Sequence, residues 1–298
     1  MKTKGQDAFA VTFWGVRGTL ASPGCEFQRV GGNTICAELR CGDRVIVFDA
    51  GTGIRGLGSR LIEQERVRRI DLMLTHVHYD HVEGIPFFAP FFAPDFTIDV
   101  WLGRLDGAAS TEDAVKGLMR RPYFPVGPDV FRADVTYRQV APGQSFDLGD
   151  GISVKTAPLN HPGGATGYRV DYRGRSFAFV TDTEHVPGQP DQSVLELIEG
   201  VDLFAYDASL TDAELPEFTG YGHSTWEEGA RLREAARAGA FLTIHHMPFR
   251  TDDELDEIEA AIRKLHAPSG VAREGMCVEL ATFADSAPPR ARAAGSGS

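Results

Sequence analysis

A layered α/β protein is the fold class that this 298-residue sequence predicts. Three observations predict it. Short β-type runs alternate with Gly-rich turns. Four segments with helical periodicity lie between those runs. Many strands with interspersed helices pack as layers around a shared core, and no internal repeat points to a solenoid instead.

Val11 to Trp14 and Arg44 to Phe48 are the first two strand-like runs, and a helical pattern over 54–65 follows the glycine turn at Gly51 and Gly53. Asp71 to Leu74 and Thr97 to Trp101 read as strands, and Thr111 to Met119 as a helix. Ile152 to Lys155, Tyr168 to Val170 and Ser176 to Val180 continue the strand series. Another strand ends on a carboxylate in Phe204-Ala205-Tyr206-Asp207. The last pair of helices covers Trp226 to Ala238 and Asp252 to Leu265, with the strand Phe241 to Ile244 between them. Ser224-Thr225-Trp226-Glu227 and Thr251-Asp252-Asp253-Glu254 each read as a capping box, a hydroxyl followed three residues on by Glu. Residues 85–140 are rich in aromatics and proline, including Arg120-Arg121-Pro122-Tyr123-Phe124-Pro125. They read either as a cap over a pocket or as a hydrophobic crossover. One domain over 1–285 is expected, with 286–298 a disordered tail of Ala, Pro, Arg, Gly and Ser.

Composition narrows the function classes. Hydrophobic content of 42% and charged content of 24% suit a globular protein with a sizeable core. Thirty Lys and Arg against 42 Asp and Glu give a net charge of −12. Affinity for long nucleic acid comes mainly from neutralising phosphates with Lys and Arg, so a general RNA or DNA binder is not expected. Cys25, Cys36, Cys41 and Cys277 lack CxxC spacing and read as reduced thiols. No apolar run resembles a secretory leader or reaches the length of a membrane span. A cytoplasmic protein without membrane contact is expected.

The chemistry concentrates at the ends of the strands. Thr75-His76-Val77-His78-Tyr79-Asp80-His81 follows the strand ending at Leu74. Alternate side chains of an extended segment share a face, so His76 and His78 can point together while Asp80 and His81 reach a second position. Imidazole plus carboxylate suits a divalent metal such as zinc. Later strands end the same way, in Asn160-His161, Thr181-Asp182 and His245-His246. That recurrence supports a metal site assembled from several strand ends.

HxHxDH followed in order by a His, an Asp and a last His resembles the metallo-β-lactamase fold, a four-layer αββα sandwich. The resemblance runs from about Val11 to Leu265 and includes Asp49-Ala50-Gly51-Thr52-Gly53 as the early Asp-x-Gly loop. It implies two divalent metal ions, zinc first and manganese or iron as alternatives. His76, His78 and His161 would hold one, Asp80, His81 and His245 the other, and Asp182 would bridge them. His245 and His246 compete for the last position; the His-x-x-Pro context of the phosphodiesterase branch favours His245 and leaves His246 beside it. Asp49 would orient a ligand from behind.

Gly222-His223-Ser224-Thr225, some twenty residues ahead of that His-x-x-Pro, resembles the ribonuclease Z and cyclic-nucleotide phosphodiesterase branch. The resemblance implies that His223, paired with Asp207, acts as general acid on the leaving oxygen. Asp80 is counted with them as catalytic. Two metals about 3.5–4 Å apart lower the pKa of water, so hydroxide is available near neutral pH to attack a phosphate. The first function expected is therefore phosphodiester hydrolysis on a small substrate, most readily a cyclic nucleotide. Tyr123 and Phe124 could stack on a base and Arg120 meet a phosphate. A tRNA 3′-processing ribonuclease is the alternative, opposed by the charge. A lactonase or thioesterase has no need of His223, and a non-catalytic metal module would be expected to lack a ligand. His185 reads as a polar loop residue, and His266 as the end of a helix. A homodimer is common in the branch.

Overall fold

The computed structural model describes residues 8–64, 67–103 and 110–280. The expected tail over 286–298 lies outside them, as does Glu65 at the end of the first helical pattern.

Two seven-stranded sheets form the centre. In spatial order the first is β14 (Cys277–Glu279), β1 (Phe9–Gly15), β2 (Cys36–Cys41), β3 (Arg44–Phe48), β4 (Arg69–Leu74), β5 (Thr97–Gly103) and β6 (Asp134–Val140). The second is β13 (Gly270–Val271), β12 (Ala240–Ile244), β11 (Leu203–Asp207), β10 (Arg175–Val180), β9 (Ala165–Tyr172), β8 (Ile152–Leu159) and β7 (Ser145–Gly149). Strands β3 to β6 run parallel, as do β10 to β13. In parallel sheets both faces are covered, and ligand sites form beyond the carboxyl ends of the strands.

Period-2 alternation sorts the side chains of β3. Ile46 and Phe48 point inward to a core shared with the second sheet, where Phe48 stacks on Phe179 with ring centroids 5.0 Å apart. Val45 and Val47 point outward into a second core. Helix α1 (Ile54–Glu63) meets them with Ile54, Leu57 and Leu61 on one face, the spacing of an amphipathic helix. On the far side α4 (Gln192–Ile198), α5 (Trp226–Ala235) and α6 (Asp252–Leu265) bury Leu197, Leu232 and Leu255 against the second sheet. The result is the expected four-layer αββα sandwich. Among the described residues no helix is long and apolar enough to cross a membrane, and the four cysteines are free.

Three expectations change. Strand β2 was not expected, although Ala37-Glu38-Leu39-Arg40-Cys41 alternates apolar and polar side chains as a strand does. Glu38 is nevertheless buried, accepting from Trp14 Nε1 at 3.0 Å and Arg40 Nε at 2.7 Å. Within 85–140, β5 lies between β4 and β6 as an integral strand; those strands belong to a crossover, not a cap. Finally, Thr225 and not Ser224 caps α5, accepting from Glu228 N at 3.1 Å. Ser224 is instead buried between His185 and Tyr206. Its hydroxyl is consumed by the core, so the cap falls one residue later. The box at Thr251 and Glu254 forms as expected.

Candidate metal centre

Six strand ends converge on one edge of the sandwich. Asp49 follows β3, Thr75 and His76 follow β4, His161 follows β8, Asp182 follows β10, Asp207 closes β11 and His245 follows β12. The short helix α2 (Tyr79–Val82) turns Asp80 and His81 back into the same space. Asp49, Asp182 and His245 all take positive φ, at 57°, 56° and 59°. Such conformations are uncommon for residues other than glycine and gather at functional sites. Here each one bends a side chain off its strand toward the cluster.

The ligand atoms face one another. Asp182 Oδ2 lies 3.2 Å from His81 Nε2, and its Oδ1 lies 3.3 Å from His245 Nε2, 3.7 Å from His161 Nε2 and 3.8 Å from His76 Nε2. His78 approaches through Nδ1, 3.1 Å from His161 Nε2. Asp80 Oδ2 lies 3.2 Å from His245 Nε2 and 3.3 Å from His81 Nε2. His76, His78 and His161 form one group within ligand distance and Asp80, His81 and His245 another. Asp182 lies between them. His245 joins the cluster and His246 does not: both ring nitrogens of His246 are buried without a hydrogen-bond partner.

Four of the five imidazoles, those of His76, His81, His161 and His245, are oriented from behind, as metal-binding histidines are. His81 Nδ1 donates to Asp49 Oδ2 at 2.8 Å, and Asp49 is itself fixed by Thr75 N at 2.7 Å. His161 Nδ1 donates to the Gly222 carbonyl at 2.8 Å. His245 Nδ1 donates to Ser209 Oγ at 2.9 Å, and His76 Nδ1 to Thr75 Oγ1 at 3.1 Å. Asp80 accepts from Thr19 N at 2.6 Å. Thr19, Thr75, Ser209 and the Gly222 carbonyl were not legible as site groups. Only the adjacency of Thr75 and Gly222 to motif residues offered a signal.

The donor set fits divalent cations. With the rear nitrogens donating, the forward ones of the neutral rings present lone pairs. At His81 burial disfavours charge, but Asp182, Asp49 and Asp80 raise its pKa well above the ordinary value, so a cation would displace a proton from its Nε2. His81 Nε2 and His245 Nε2 then face each other at 3.3 Å, an arrangement that a shared cation relieves. His76 Nε2 is buried with no hydrogen-bond partner. Burial, reinforced by His81, holds the His76 imidazole well below its ordinary pKa, and burial also lowers His161. Both are therefore neutral, the form that binds metal. Burial disfavours charge on Asp182, yet His245, His81 and His76 hold its carboxyl well below the usual carboxylate range. Several buried charges in one place require compensation.

His223 is half-buried at the margin of the cluster. Its Nδ1 donates to Asp207 Oδ2 at 3.0 Å, and its ring stacks on His245 with centroids 4.8 Å apart. Burial works against the imidazolium, but Asp207 outweighs it and raises the pKa to about 9. Asp207 is fully buried and accepts from Ser209 N at 3.0 Å. Of the other expected residues, Tyr123 is exposed near Arg120, and Phe124 packs edge-on against Phe87 at 6.0 Å. None of the three shares a hydrogen bond or ring contact with the cluster among the described residues. His185 is buried, not a surface polar group; its Nδ1 meets Ser224 Oγ at 2.7 Å, and it lines a cavity of about 540 Å³ with Val186, Leu215 and Pro216. His266 closes α6 against Ser269 Oγ at 3.0 Å.

Gly222 has φ of 85°, and a Cβ there would run into the His161 ring. Gly222→Ala is expected to cost about 1–2 kcal/mol through the left-handed backbone. By turning His161 it should also weaken metal binding about 10–100-fold. Chelator competition checks this; unchanged affinity would show that the carbonyl does not place His161.

Residues 44–246 match the beta-lactamase superfamily domain. The chain is 26% identical to a ribonuclease Z of Mycobacterium avium, covering 80% of this chain and 86% of that protein. Among solved structures it is similar to the metallo-beta-lactamase fold protein YhfI from Bacillus subtilis, at a TM-score of 0.67 and 17% identity, covering 92% of this chain and 100% of the other. It is also similar to the short form of human tRNase Z, at a TM-score of 0.62 and 21% identity, covering 91% and 99%. With a domain match across more than half of its length and a cluster of this composition at the expected strand ends, the chain belongs to the β-lactamase superfamily and has the metallo-β-lactamase fold.

Proposed function

We propose that the protein is a metal-dependent phosphodiesterase acting on a small substrate, with cyclic nucleotides the first class to examine. The observation that carries this reading is the His223–Asp207 pair stacked on His245. His76, His78 and His161 would hold one cation, Asp80, His81 and His245 a second, and Asp182 both. When bound, divalent cations supply Lewis acidity toward phosphoryl oxygens and a water of lowered pKa. The chain's own residues do the rest. His76, His81, His161 and His245 are held in one tautomer by their rear hydrogen bonds. Thr19 N–H fixes the Asp80 carboxylate. An alkoxide leaving a phosphodiester needs a proton. His223 gives it from Nε2, because Nδ1–H is committed to Asp207. Asp207 keeps the ring in that tautomer and favours its protonated form. A lactone or thioester asks less of such a donor.

The net charge of −12 favours a small substrate over RNA. One observation favours a second reading, tRNA 3′ processing: the relative from Mycobacterium avium, named ribonuclease Z, matches over most of its length. A cytoplasmic homodimer belongs to either reading and rests on the family resemblance.

A panel of cyclic mononucleotides, cyclic dinucleotides, 2′,3′-cyclic phosphates and a precursor tRNA decides between them. The expected result is chelator-sensitive turnover of a cyclic phosphodiester at a kcat/KM above that for precursor tRNA. Preferred cleavage of precursor tRNA would replace the first reading with the second. Fast lactone hydrolysis without phosphodiester turnover would overturn both.

A further inference from the structure

Glu184 lies two residues beyond Asp182, on the segment leaving β10, and none of the roles derived above uses it. Its carboxylate Oε2 accepts two backbone N–H bonds from the His223 loop, from Gly220 N at 2.7 Å and Gly222 N at 2.9 Å. Gly220 and Gly222 have φ of 90° and 85°, so the amides on either side of Tyr221 are gathered onto one oxygen. The backbone of Glu184 is tied as well. Its N–H donates to the Asn160 carbonyl at 2.8 Å, and Asn160 Nδ2 donates to the Glu184 carbonyl at 2.7 Å.

These bonds close a circuit. Asn160 precedes His161, the Gly222 carbonyl accepts from His161 Nδ1 at 2.8 Å, and His223 follows Gly222. The segment carrying Asp182, the segment carrying His161 and the loop carrying His223 therefore meet at Glu184. The other ties of the loop lie at its ends: Thr219 Oγ1 donates to Leu215 O at 3.2 Å and His223 Nδ1 to Asp207 Oδ2 at 3.0 Å. Tyr221 between them is exposed, with its backbone N–H on Phe218 O and its ring edge-on to Phe218.

We propose that Glu184 is a positioning residue that clamps the 219–223 loop, setting the ring orientation of His161 and the reach of His223. The His223 half of this statement rests on the phosphodiesterase reading; the His161 half does not. Releasing the carboxylate frees both glycine amides, lets the Gly222 carbonyl drift from His161 Nδ1, and widens the positions that His223 samples. Misplacement of a reacting group by about 1 Å is enough for a roughly hundredfold loss of rate.

The test compares Glu184→Ala, Glu184→Gln and the wild type. Glutamine keeps an oxygen acceptor at the same reach, so a clamp is rescued and a charge effect is not. Glu184→Ala is expected to speed hydrogen exchange at the Gly220 and Gly222 amides by at least about tenfold. It should also lower kcat about 10–100-fold on a phosphodiester with an alkoxide leaving group, leave KM within about threefold, and weaken metal affinity in chelator competition. Glu184→Gln should fall within about threefold of wild type in every readout. Unchanged amide exchange in Glu184→Ala, or a Glu184→Gln as impaired as Glu184→Ala, overturns the proposal. If Glu184→Ala does not fold, Glu184→Gln alone decides on the same threefold limit. In a His223→Ala background, Glu184→Ala should cost less than about threefold further rate, because residues acting as a unit are non-additive. If His223→Ala proves harmless while amide exchange and metal affinity still respond to Glu184→Ala, the clamp stands and the general-acid reading falls.

Discussion

Replacing His223 with alanine is expected to lower kcat on a phosphodiester with an alkoxide leaving group by about 10²–10⁴-fold, the range for a positioned general acid, while both cations stay bound. The two halves of this result rest on different geometry. The rate loss follows from the free Nε2 of a ring whose Nδ1 is engaged by Asp207 at 3.0 Å. The retained metal follows because His76, His78 and His161, and Asp80, His81 and His245, form groups without His223. His223 also comes within ligand distance of Asp182 and His161 and of Asp207 and His245, but its Nδ1 is engaged by Asp207. It does lie close enough to His161 and Asp182 to be mistaken for a ligand, with Nδ1 3.9 Å from Asp182 Oδ1. Metal analysis is therefore the decisive companion to the rate. The loss should shrink to less than about tenfold on bis-p-nitrophenyl phosphate, whose aryl oxide leaves without a proton. Equal losses on both substrates would assign His223 to phosphate binding. Loss of metal would make it a ligand, and an unchanged rate would remove it from the reaction.

How far the sequence carries depends on what kind of interaction places a residue. The metal ligands were legible because each is local to a strand end: apolar alternation marks the strand, and a His or Asp directly after it has few other reasons to be there. Asp207 was legible at the end of its strand, whereas His223, in a loop before a helix, was singled out only by the resemblance of Gly222-His223-Ser224-Thr225 to the ribonuclease Z and phosphodiesterase branch. Glu184 was not, because its partners are backbone N–H groups of residues 220 and 222, and no side-chain pattern records a backbone acceptor. Ser224 was misread because a hydroxyl before a helix suits a cap equally well at two adjacent positions. The buried contacts to His185 and Tyr206 that decide between them are long-range. Arg17 shows the same limit. It was given no role from the sequence, yet it is fully buried, donating to Gly31 O at 2.8 Å and to Arg250 O at 2.5 Å. It thereby ties the first loop to the segment after His245. Segment 85–140 had enough proline and aromatic content to look like an added cap. Thr97 to Trp101 within it was legible as a strand, but β6 was not, because its parallel pairing with β5 is non-local.

Asp182→Asn is expected to have the largest effect of any single substitution: loss of at least one of two bound cations and a rate at least about 10³-fold below wild type. Asparagine is chosen for two reasons. It keeps the shape and one carbonyl oxygen, and it tolerates the left-handed backbone that Asp182 adopts at φ of 56°. Alanine there would add backbone strain to the loss of charge and confuse the two. What asparagine removes is, among the described residues, the one carboxylate that reaches both groups, with one oxygen 3.2 Å from His81 and the other 3.3–3.8 Å from His245, His161 and His76. Without that charge, five imidazoles and two cations would crowd together with Asp80 as the remaining carboxylate of the two groups. Stability reports the same event independently of rate. A cation present at one hundred times its dissociation constant stabilises the folded state by about 2.7 kcal/mol. Chelation should therefore lower the wild-type melting temperature clearly and the Asp182→Asn temperature much less, because less metal is there to remove. An Asp182→Asn protein that retained two cations and the full chelation shift would show that Asp182 does not bridge, and the two groups would have to be treated as separate sites.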